Sequence, residues 1–396
     1  MGGVNTIWQV YPLGATGAPI RDWSEAGADE HRLRRLLPWL GHAAGLADSL
    51  LLGPIFASSS HGYDTLDHRA IDPRLGTEAD FDDLVAAAGE LGLGIILDGV
   101  FNHIAQGHPL EDHVARNEDG SPRLFEGHGG LLELDHSDPV VIDYITDTLT
   151  HWLERGAAGW RMDAAYRMEP SVWERILPPV KKAFPDAWFL GEVIHGDYPS
   201  FTGIDRLDSI TQYELWKAIW SSLTDENLFE LDWTLQRHAQ LLESFTPNTF
   251  IGNHDVERIA STLGQRRAAM AAVLLFTLPG IPSIYAGDEF GWLGTKAEGF
   301  AADDPLRPPL PPSPADAIDP ASEQILTIYR WGANLRREHT WLQNAQVETA
   351  DLSNTTMTYR VHGEGREMTV DLDLTADSAV VSLDDQIIWR LPEIDG

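Results

Sequence analysis

The segment Ile95-Ile96-Leu97-Asp98-Gly99-Val100-Phe101-Asn102-His103 opens apolar and closes on a carboxylate, an amide and an imidazole. A short apolar run of this kind fits a strand buried on both faces, and the polar finish sets one of its ends apart from the other. The same passage from apolar to ionisable recurs in Gly159-Trp160-Arg161-Met162-Asp163, in Phe189-Leu190-Gly191-Glu192 and in Phe250-Ile251-Gly252-Asn253-His254-Asp255. Working outward, runs of strand character lie at 7–10, 49–55, 94–100, 159–163, 188–193, 207–213, 249–252 and 282–285, eight in all. Amphipathic stretches fall between them: 78–91 puts Phe81, Leu84, Val85, Ala88 and Leu91 on one helical face, and 139–153 does so with Val140, Ile142, Ile145, Leu149 and Leu153. Eight strands alternating with helices predict an α/β protein built as a (β/α)8 TIM barrel.

Two stretches break the repeat. Residues 104–134 lose periodicity to Gly, His, Pro and charged side chains, so a short inserted loop domain is expected after strand 3. Residues 300–320 are rich in Pro and Asp and precede a helix at 322–338. Both leave from carboxyl ends of strands, where such a barrel builds its active site. Beyond His339 the period changes to two, and 356–361, 368–374 and 379–383 read as strands of a small C-terminal antiparallel β domain. The expected division is a barrel over 1–340, insert included, and a β domain over 341–396.

Composition removes several classes of function. With 28 Lys and Arg against 61 Asp and Glu, the formal charge is −33, and the field around such a chain repels nucleic acid and anionic membrane. A neutral substrate is not penalised. No Cys is present, so disulfides, a thiol nucleophile and thiolate metal sites are excluded. Neither a basic-then-apolar leader before strand 1 nor an apolar run of roughly eighteen residues occurs, and a cytoplasmic protein is expected.

The chemistry is sought just past each strand. Arg161 and Asp163 are two apart, so on a strand they share a face, and a guanidinium beside a carboxylate keeps that carboxylate ionised, as a nucleophile requires. Glu192 follows an apolar strand and a Gly, a setting that desolvates a carboxyl, raises its pKa and suits it to donate a proton. Asp255, beside His254, is placed to hold hydroxyls more tightly as positive charge develops. Read singly, each of these is equally a buried ion pair or a strand cap. Read together, one ionised and one protonated carboxyl are the parts of a two-step glycosyl transfer.

The four segments quoted at the start resemble, in order and placement, the four signature regions of the α-amylase family of glycoside hydrolases. Ser60-His-Gly-Tyr-Asp-Thr65, Ile71-Asp-Pro-Arg-Leu-Gly-Thr77 and Pro279-Gly-Ile-Pro-Ser-Ile-Tyr-Ala-Gly-Asp-Glu289 are similar to its neopullulanase and cyclomaltodextrinase branch. The resemblance covers roughly residues 5–340. It implies a retaining hydrolase of α-1,4 and/or α-1,6 linkages in short malto-oligosaccharides or related small α-glucosides. Asp163 is then the nucleophile, Glu192 the acid and later the base, and Asp255 the transition-state stabiliser. Arg161 orients Asp163, Tyr63 stacks under the sugar next to the scissile bond, and His103 and His254 bind its hydroxyls. Arg307 either reaches the substrate or is a solvated loop arginine. Asp98 ties strand 3 to Arg161. No cofactor is implied for the chemistry; Asn102 stands near a structural calcium in relatives, but too few oxygen ligands can be assigned to define a metal site here. The implied partner is a small oligosaccharide.

Departures from the family pattern narrow the substrate. Tyr166 replaces the basic residue that α-amylases often carry three positions after the nucleophile, which points away from starch liquefaction. Ser60 stands where exo-acting α-glucosidases carry an aspartate, which points away from a simple maltase. The barrel starts almost at Met1, so dimerisation through the N-terminal β domain of that branch is not expected, and monomer and homodimer by other routes stay open. A transglycosylase on the same barrel remains an alternative, because a sugar hydroxyl can replace water as acceptor. A non-catalytic carbohydrate-binding relative leaves the complete carboxylate set unexplained. A nucleotide-binding oxidoreductase needs a Gly-rich turn after an early strand, and the first strands lack one.

Overall fold

In the computed structural model, which describes residues 3–21, 30–127, 129–299 and 301–391, the eight runs form parallel strands. They are β1 (Ile7–Val10), β2 (Ser49–Leu52), β3 (Gly94–Gly99), β4 (Gly159–Met162), β5 (Trp188–Gly191), β6 (Ser209–Ile210), β7 (Asn248–Phe250) and β8 (Ile281–Tyr285). Of the positions singled out above, Met1, residue 128 of the insert, Phe300 and residues 392–396 lie outside the described residues. The sheet order is β6-β5-β4-β3-β2-β1-β8-β7. Its two ends meet at a parallel bridge between Thr211 and Asn248, and the Gln212 N–H donates to the Asn248 carbonyl at 2.8 Å, so the barrel all but closes.

The period of two explains what the barrel contains. Ile7, Leu51, Ile96 and Ile281 point inward and pack together near the amino ends of their strands. Their neighbours Trp8, Leu50, Leu52, Ile95 and Leu97 point outward into the much larger core under the helices. Two residues further along the inward columns come Gln9 and Asp98; Arg161 on β4 is level with Asp98, and Asp163 and Glu192 follow just past the ends of β4 and β5. The interior is filled, since the space left among Gln9, Leu51, Arg161, Leu190 and Asn248 is about 20 Å³. One end of the inner column is therefore apolar and the other charged.

Around the strands run α1 (Leu40–Leu46), α2 (Glu78–Glu90), α3 (Pro139–Glu154), α4 (Pro170–Ala183), α5 (Tyr213–Asp225), α6 (Leu228–Leu242), α7 (Ile259–Thr277) and α8 (Pro320–Glu338). α8 starts two residues before the expected 322 because Asp319 caps it, accepting from the Ala321 and Ser322 N–H groups at 3.0 and 2.8 Å, and Pro320 needs no bond there. The strict alternation fails at two points. A single turn, Tyr198–Phe201, follows β5 where a helix was expected, and β6 is followed by two helices. The run at 207–213 gives only the two strand residues Ser209–Ile210: Leu207 is spent in a turn, accepting from Gly203 and donating to Phe201, and Tyr213 opens α5.

Two hairpins stand above the barrel that the periodicity did not reveal. Phe56–Ser58 pairs with Thr65–Ile71 after β2, and His103–Ala105 pairs with Leu131–Glu133 at the base of the insert. Following the barrel comes a five-stranded antiparallel meander, β9 (Gln346–Leu352), β10 (Thr356–Gly363), β11 (Arg366–Asp373), β12 (Ser378–Leu383) and β13 (Gln386–Arg390). The three expected strands are its inner ones. Both edge strands were missed because their residues do not alternate: only Val347 is buried in β9, and Ile387 on β13 is 54% exposed. The sheet meets the barrel where the Tyr359 and Thr277 hydroxyls share a hydrogen bond at 2.5 Å and Trp389 stacks on Trp331. Among the described residues no helix is long and apolar enough to cross a membrane.

Buried histidines make this core sensitive to acid. Under the first hairpin the Leu110 N–H donates to His108 Nδ1, His108 Nε2 faces His68 Nδ1 at 3.1 Å, and His68 Nε2 donates to the Val100 carbonyl at 2.8 Å. Every ring nitrogen is committed in the neutral form, and burial holds His68 at about 4 and His108 at about 3. His103 and His238, equally buried, are held at about 4. Between these values and about 6.5 the unfolded chain binds more protons than the folded one, so stability falls as pH falls through that window. Each such histidine costs about 2 kcal/mol between pH 6.5 and 5. Asp98 and Asp288, raised by burial to about 6, act in the opposite sense and offset part of the loss. Urea unfolding at constant ionic strength is expected to give a lower free energy at pH 5 than at pH 6.5; a flat or reversed dependence contradicts the account.

Candidate active site

At the charged end of the barrel one guanidinium organises three carboxyl groups. Arg161 is 3% exposed and faces Asp98 across the β3–β4 ladder, where the two are register partners. Its Nη1 donates to both Asp98 oxygens at 2.7 Å and to Asp163 Oδ1 at 3.3 Å, and its Nη2 lies 2.8 Å from Glu192 Oε1. The expected link from strand 3 to Arg161 is therefore present. Arg161 also reaches Asp163, the residue it was expected to orient, but its shorter bonds go to Asp98 and Glu192.

The electrostatic assignment changes accordingly. Glu192 accepts from Tyr213 Oη at 3.0 Å and from the Ala164 N–H at 3.0 Å as well as from Arg161, so the apolar setting expected for it is replaced by three donors. Asp163, served by Arg161 alone at its side chain, has its pKa raised well above the usual carboxylate range, first by burial and then by the charge of Glu192. The two carboxyls share one guanidinium, and the charge of Glu192 opposes ionisation of Asp163. Ala164 reaches Glu192 from a left-handed backbone, φ 45° and ψ 36°, a conformation that costs a non-glycine residue about 1 kcal/mol or more and recurs at functional sites.

A fourth carboxylate sits across the opening. Asp255 follows β7 with its side chain 36% exposed; Arg307 Nη2 donates to its Oδ1 at 2.7 Å and His254 Nε2 lies 3.0 Å from its Oδ2. Arg307 itself is buried, donates from Nε to the His254 carbonyl at 2.9 Å, and lies 4.5 Å over the Tyr11 ring. The solvated loop arginine that the sequence left open is thus ruled out, and Arg307 is part of the site. His254 Nδ1 faces the Gln9 amide at 3.1 Å, which leaves the hydrogen on Nε2 for Asp255 and for Tyr63 Oη. Burial and the charges of Arg307 and Arg161 keep this imidazole neutral.

Tyr63, in the turn of the first hairpin, stacks on His254 with ring centroids 5.2 Å apart and donates to Asp98 Oδ2 at 3.0 Å. His103 is brought in beneath it: its Nε2 donates to the Tyr63 carbonyl at 3.0 Å and its ring stacks on Phe125 of the insert at 4.2 Å. Its Nε2 is thus already bonded within the protein. Asn102 is buried beside it and donates to its Nδ1, and among the described residues no group of three or more His, Asp or Glu converges to hold a metal ion. Ser60 and Tyr166, the two departures from the family pattern, bond Asp64 at 2.6 Å and Glu126 at 2.8 Å.

Sequence reasoning missed Tyr213. Its hydroxyl bridges Asn253 Nδ2, at 3.1 Å, and Glu192, so it couples the β7 segment to the β5 carboxylate. Its signal in the sequence is its place at the end of the run assigned to strand 6.

The nearly closed parallel barrel thus brings four carboxyl groups, two buried arginines and a neutral histidine together at the carboxyl ends of its strands. The α-amylase catalytic domain model matches residues 44–125 and 123–351, and the chain belongs to that family. It is 30% identical over 331 residues to neopullulanase 2 of Thermoactinomyces vulgaris, and 30% identical over 338 residues to a cyclomaltodextrinase of Geobacillus thermopakistaniensis. Each match takes in 73% of this chain but only 56% of the relative, so the chain spans little more than half the length of either. Among solved structures, the cyclic α-maltosyl-(1→6)-maltose hydrolase of Arthrobacter globiformis superposes with a TM-score of 0.80 at 23% identity, covering 93% of this chain and 90% of that one, a likeness of fold.

Proposed function

We propose that the protein is a retaining α-glucoside hydrolase acting on α-1,4 and/or α-1,6 linkages of short malto-oligosaccharides or related small α-glucosides. The observation that carries the reading is the arrangement of Asp163 and Glu192 on one guanidinium, faced by Asp255 on a second. Asp163 attacks the anomeric carbon and the bond to the leaving oxygen breaks as Glu192 delivers its proton. Water, deprotonated by Glu192, then releases the sugar from the Asp163 ester. Asp255, held by Arg307 and His254, accepts hydroxyls of the ring while positive charge develops on it. Tyr63 offers its ring edge and face beside them. None of these steps calls on a cofactor. Similarity to a neopullulanase and a cyclomaltodextrinase favours this substrate class.

The reactive form has the proton on Glu192 and Asp163 ionised. Burial and the charge of Glu192 oppose the ionisation of Asp163, so this carboxyl takes up a proton well above the usual carboxylate range. The rate is therefore expected to fall on the acid side of its pH profile already well above the ordinary carboxylate value of about 4. A rate that stays level down to that value contradicts the raised Asp163.

Product analysis tests the reading as a whole. Maltotriose, panose, isomaltose, pullulan, cyclodextrins, sucrose and trehalose are offered, and proton NMR follows the first product formed. The α anomer is expected, since two displacements restore configuration; an initial β anomer shows inversion and overturns the mechanism. Products longer than the substrate identify transfer to sugar in place of water.

A further inference from the structure

Three residues past Asp255, at the N-cap of α7, stands a buried cation that the chemistry above leaves unused, Arg258. It is 1% exposed, and its guanidinium joins three segments. Nη1 donates to Asp288 Oδ1 at 2.7 Å, while Nη2 donates to the Ala286 carbonyl, just past β8, and to the Leu306 carbonyl, both at 3.0 Å. The planar group lies 4.4 Å over the Tyr285 ring, and Tyr285 Oη donates to the same Leu306 carbonyl at 2.9 Å. Asp288 in turn packs against the end of β7, where a Cβ on Gly252 would collide with its Oδ2.

These bonds close a ring. Leu306 immediately precedes Arg307, and Arg307 holds Asp255 at 2.7 Å; Asp255 precedes Arg258 by three residues, and Arg258 holds Leu306. Asp255 and Arg307 therefore meet at the reaction centre on two arms whose roots are tied by one guanidinium. Among the described residues the other donor at the Leu306 carbonyl is Tyr285 Oη. A buried ion pair such as Arg258–Asp288 often adds little net stability over apolar side chains of the same volume. What the planar, multidentate fork supplies is fixed geometry.

We propose that Arg258 is a positioning residue, which touches no reacting atom and acts by fixing Asp255 and Arg307 against each other. The inference rests on the proposed function for the role of Asp255. A displacement of about 1 Å at such a group costs about 10²-fold in rate. Asp255 grips hydroxyls more tightly as charge develops than in the ground state, so the loss falls on kcat and spares KM.

Arg258→Met alone leaves Asp288 buried without its cation, so the test protein is Arg258→Met/Asp288→Asn, which removes both charges. Thermal melting fixes a temperature at which parent and variant are both folded, and rates are taken there on whichever of maltotriose, panose and pullulan the parent cleaves. The double variant is expected to lose about 10²-fold in kcat with KM within about threefold of the parent. Its crystal structure is expected to show the Arg307–Asp255 contact broken or the turn at 304–307 shifted by about 1 Å. A variant that melts lower but turns over like the parent, a loss confined to KM, or a retained contact in an unshifted turn overturns the proposal. If the double variant does not fold, Arg258→Lys is measured in the same way; an ammonium cannot reproduce the fork, and a kcat loss of about tenfold at unchanged KM is expected, parental kcat being the contrary result. A parent that cleaves none of these sugars contradicts the hydrolase, and the crystal comparison then decides the positioning role by itself.

Discussion

Asp163→Asn is expected to fold normally and to lose turnover by about 10⁴-fold or more. The side chain is 8% exposed and receives one side-chain bond, from Arg161 at 3.3 Å, which an amide oxygen can accept as well. An amide of the same shape cannot form the glycosyl ester, so the first displacement stops. Because burial and Glu192 disfavour the ionised carboxyl, a neutral replacement relieves the fold of an unfavourable charge. The variant is therefore expected to melt at the same temperature as the parent or above it, as substitutions at strained catalytic positions often do. Rate and melting are measured on one preparation. Activity within tenfold of the parent removes Asp163 from its role, and a lowered melting temperature contradicts the electrostatic reading.

Arg161→Met should have the opposite consequence for stability. The guanidinium is the cation for Asp98, Asp163 and Glu192 together, and its removal leaves three buried carboxyl groups uncompensated. Breaking a buried pair from one side costs about 3–5 kcal/mol, and activity is expected to vanish with it. The cost has a sign in pH. Without the cation the carboxyls take up protons in the folded state, their folded pKa values rise above the unfolded ones, and the stability deficit shrinks as pH falls through them. Urea unfolding of parent and variant at pH 7 and pH 5 compares the deficits directly. A deficit of less than about 1 kcal/mol at pH 7, or one that grows at pH 5, contradicts the placement of three charges on one arginine.

The barrel and its polar rim were legible because both follow from a period of two. Ile96 and Asp98, or Arg161 and Asp163, stand on one inward column, and neighbouring strands present theirs at the same level, so four segments far apart in sequence read as one site. What stayed hidden depends on contacts that no local pattern carries. Arg307 comes 52 residues after the carboxylate it holds, and nothing in its Pro-rich surroundings distinguishes a buried arginine from a solvated one. The donors on Glu192 arrive from Ala164 and Tyr213, 28 and 21 residues away, and reverse an expectation founded on the apolar run that precedes it. The edge strands β9 and β13 lacked alternation because each is paired on one side only.

The account turns on a covalent bond to Asp163, and a slow substrate makes that bond observable. A 5-fluoro-α-glucosyl fluoride carries a good leaving group, while its ring fluorine slows hydrolysis of the ester, so a glycosyl-enzyme accumulates. Mass spectrometry of the intact protein followed by peptide mapping is expected to show one added fluoroglucosyl group, on the peptide that contains Asp163. The same label on a peptide carrying Glu192 or Asp255, with Asp163 unmodified, contradicts the assignment of the nucleophile.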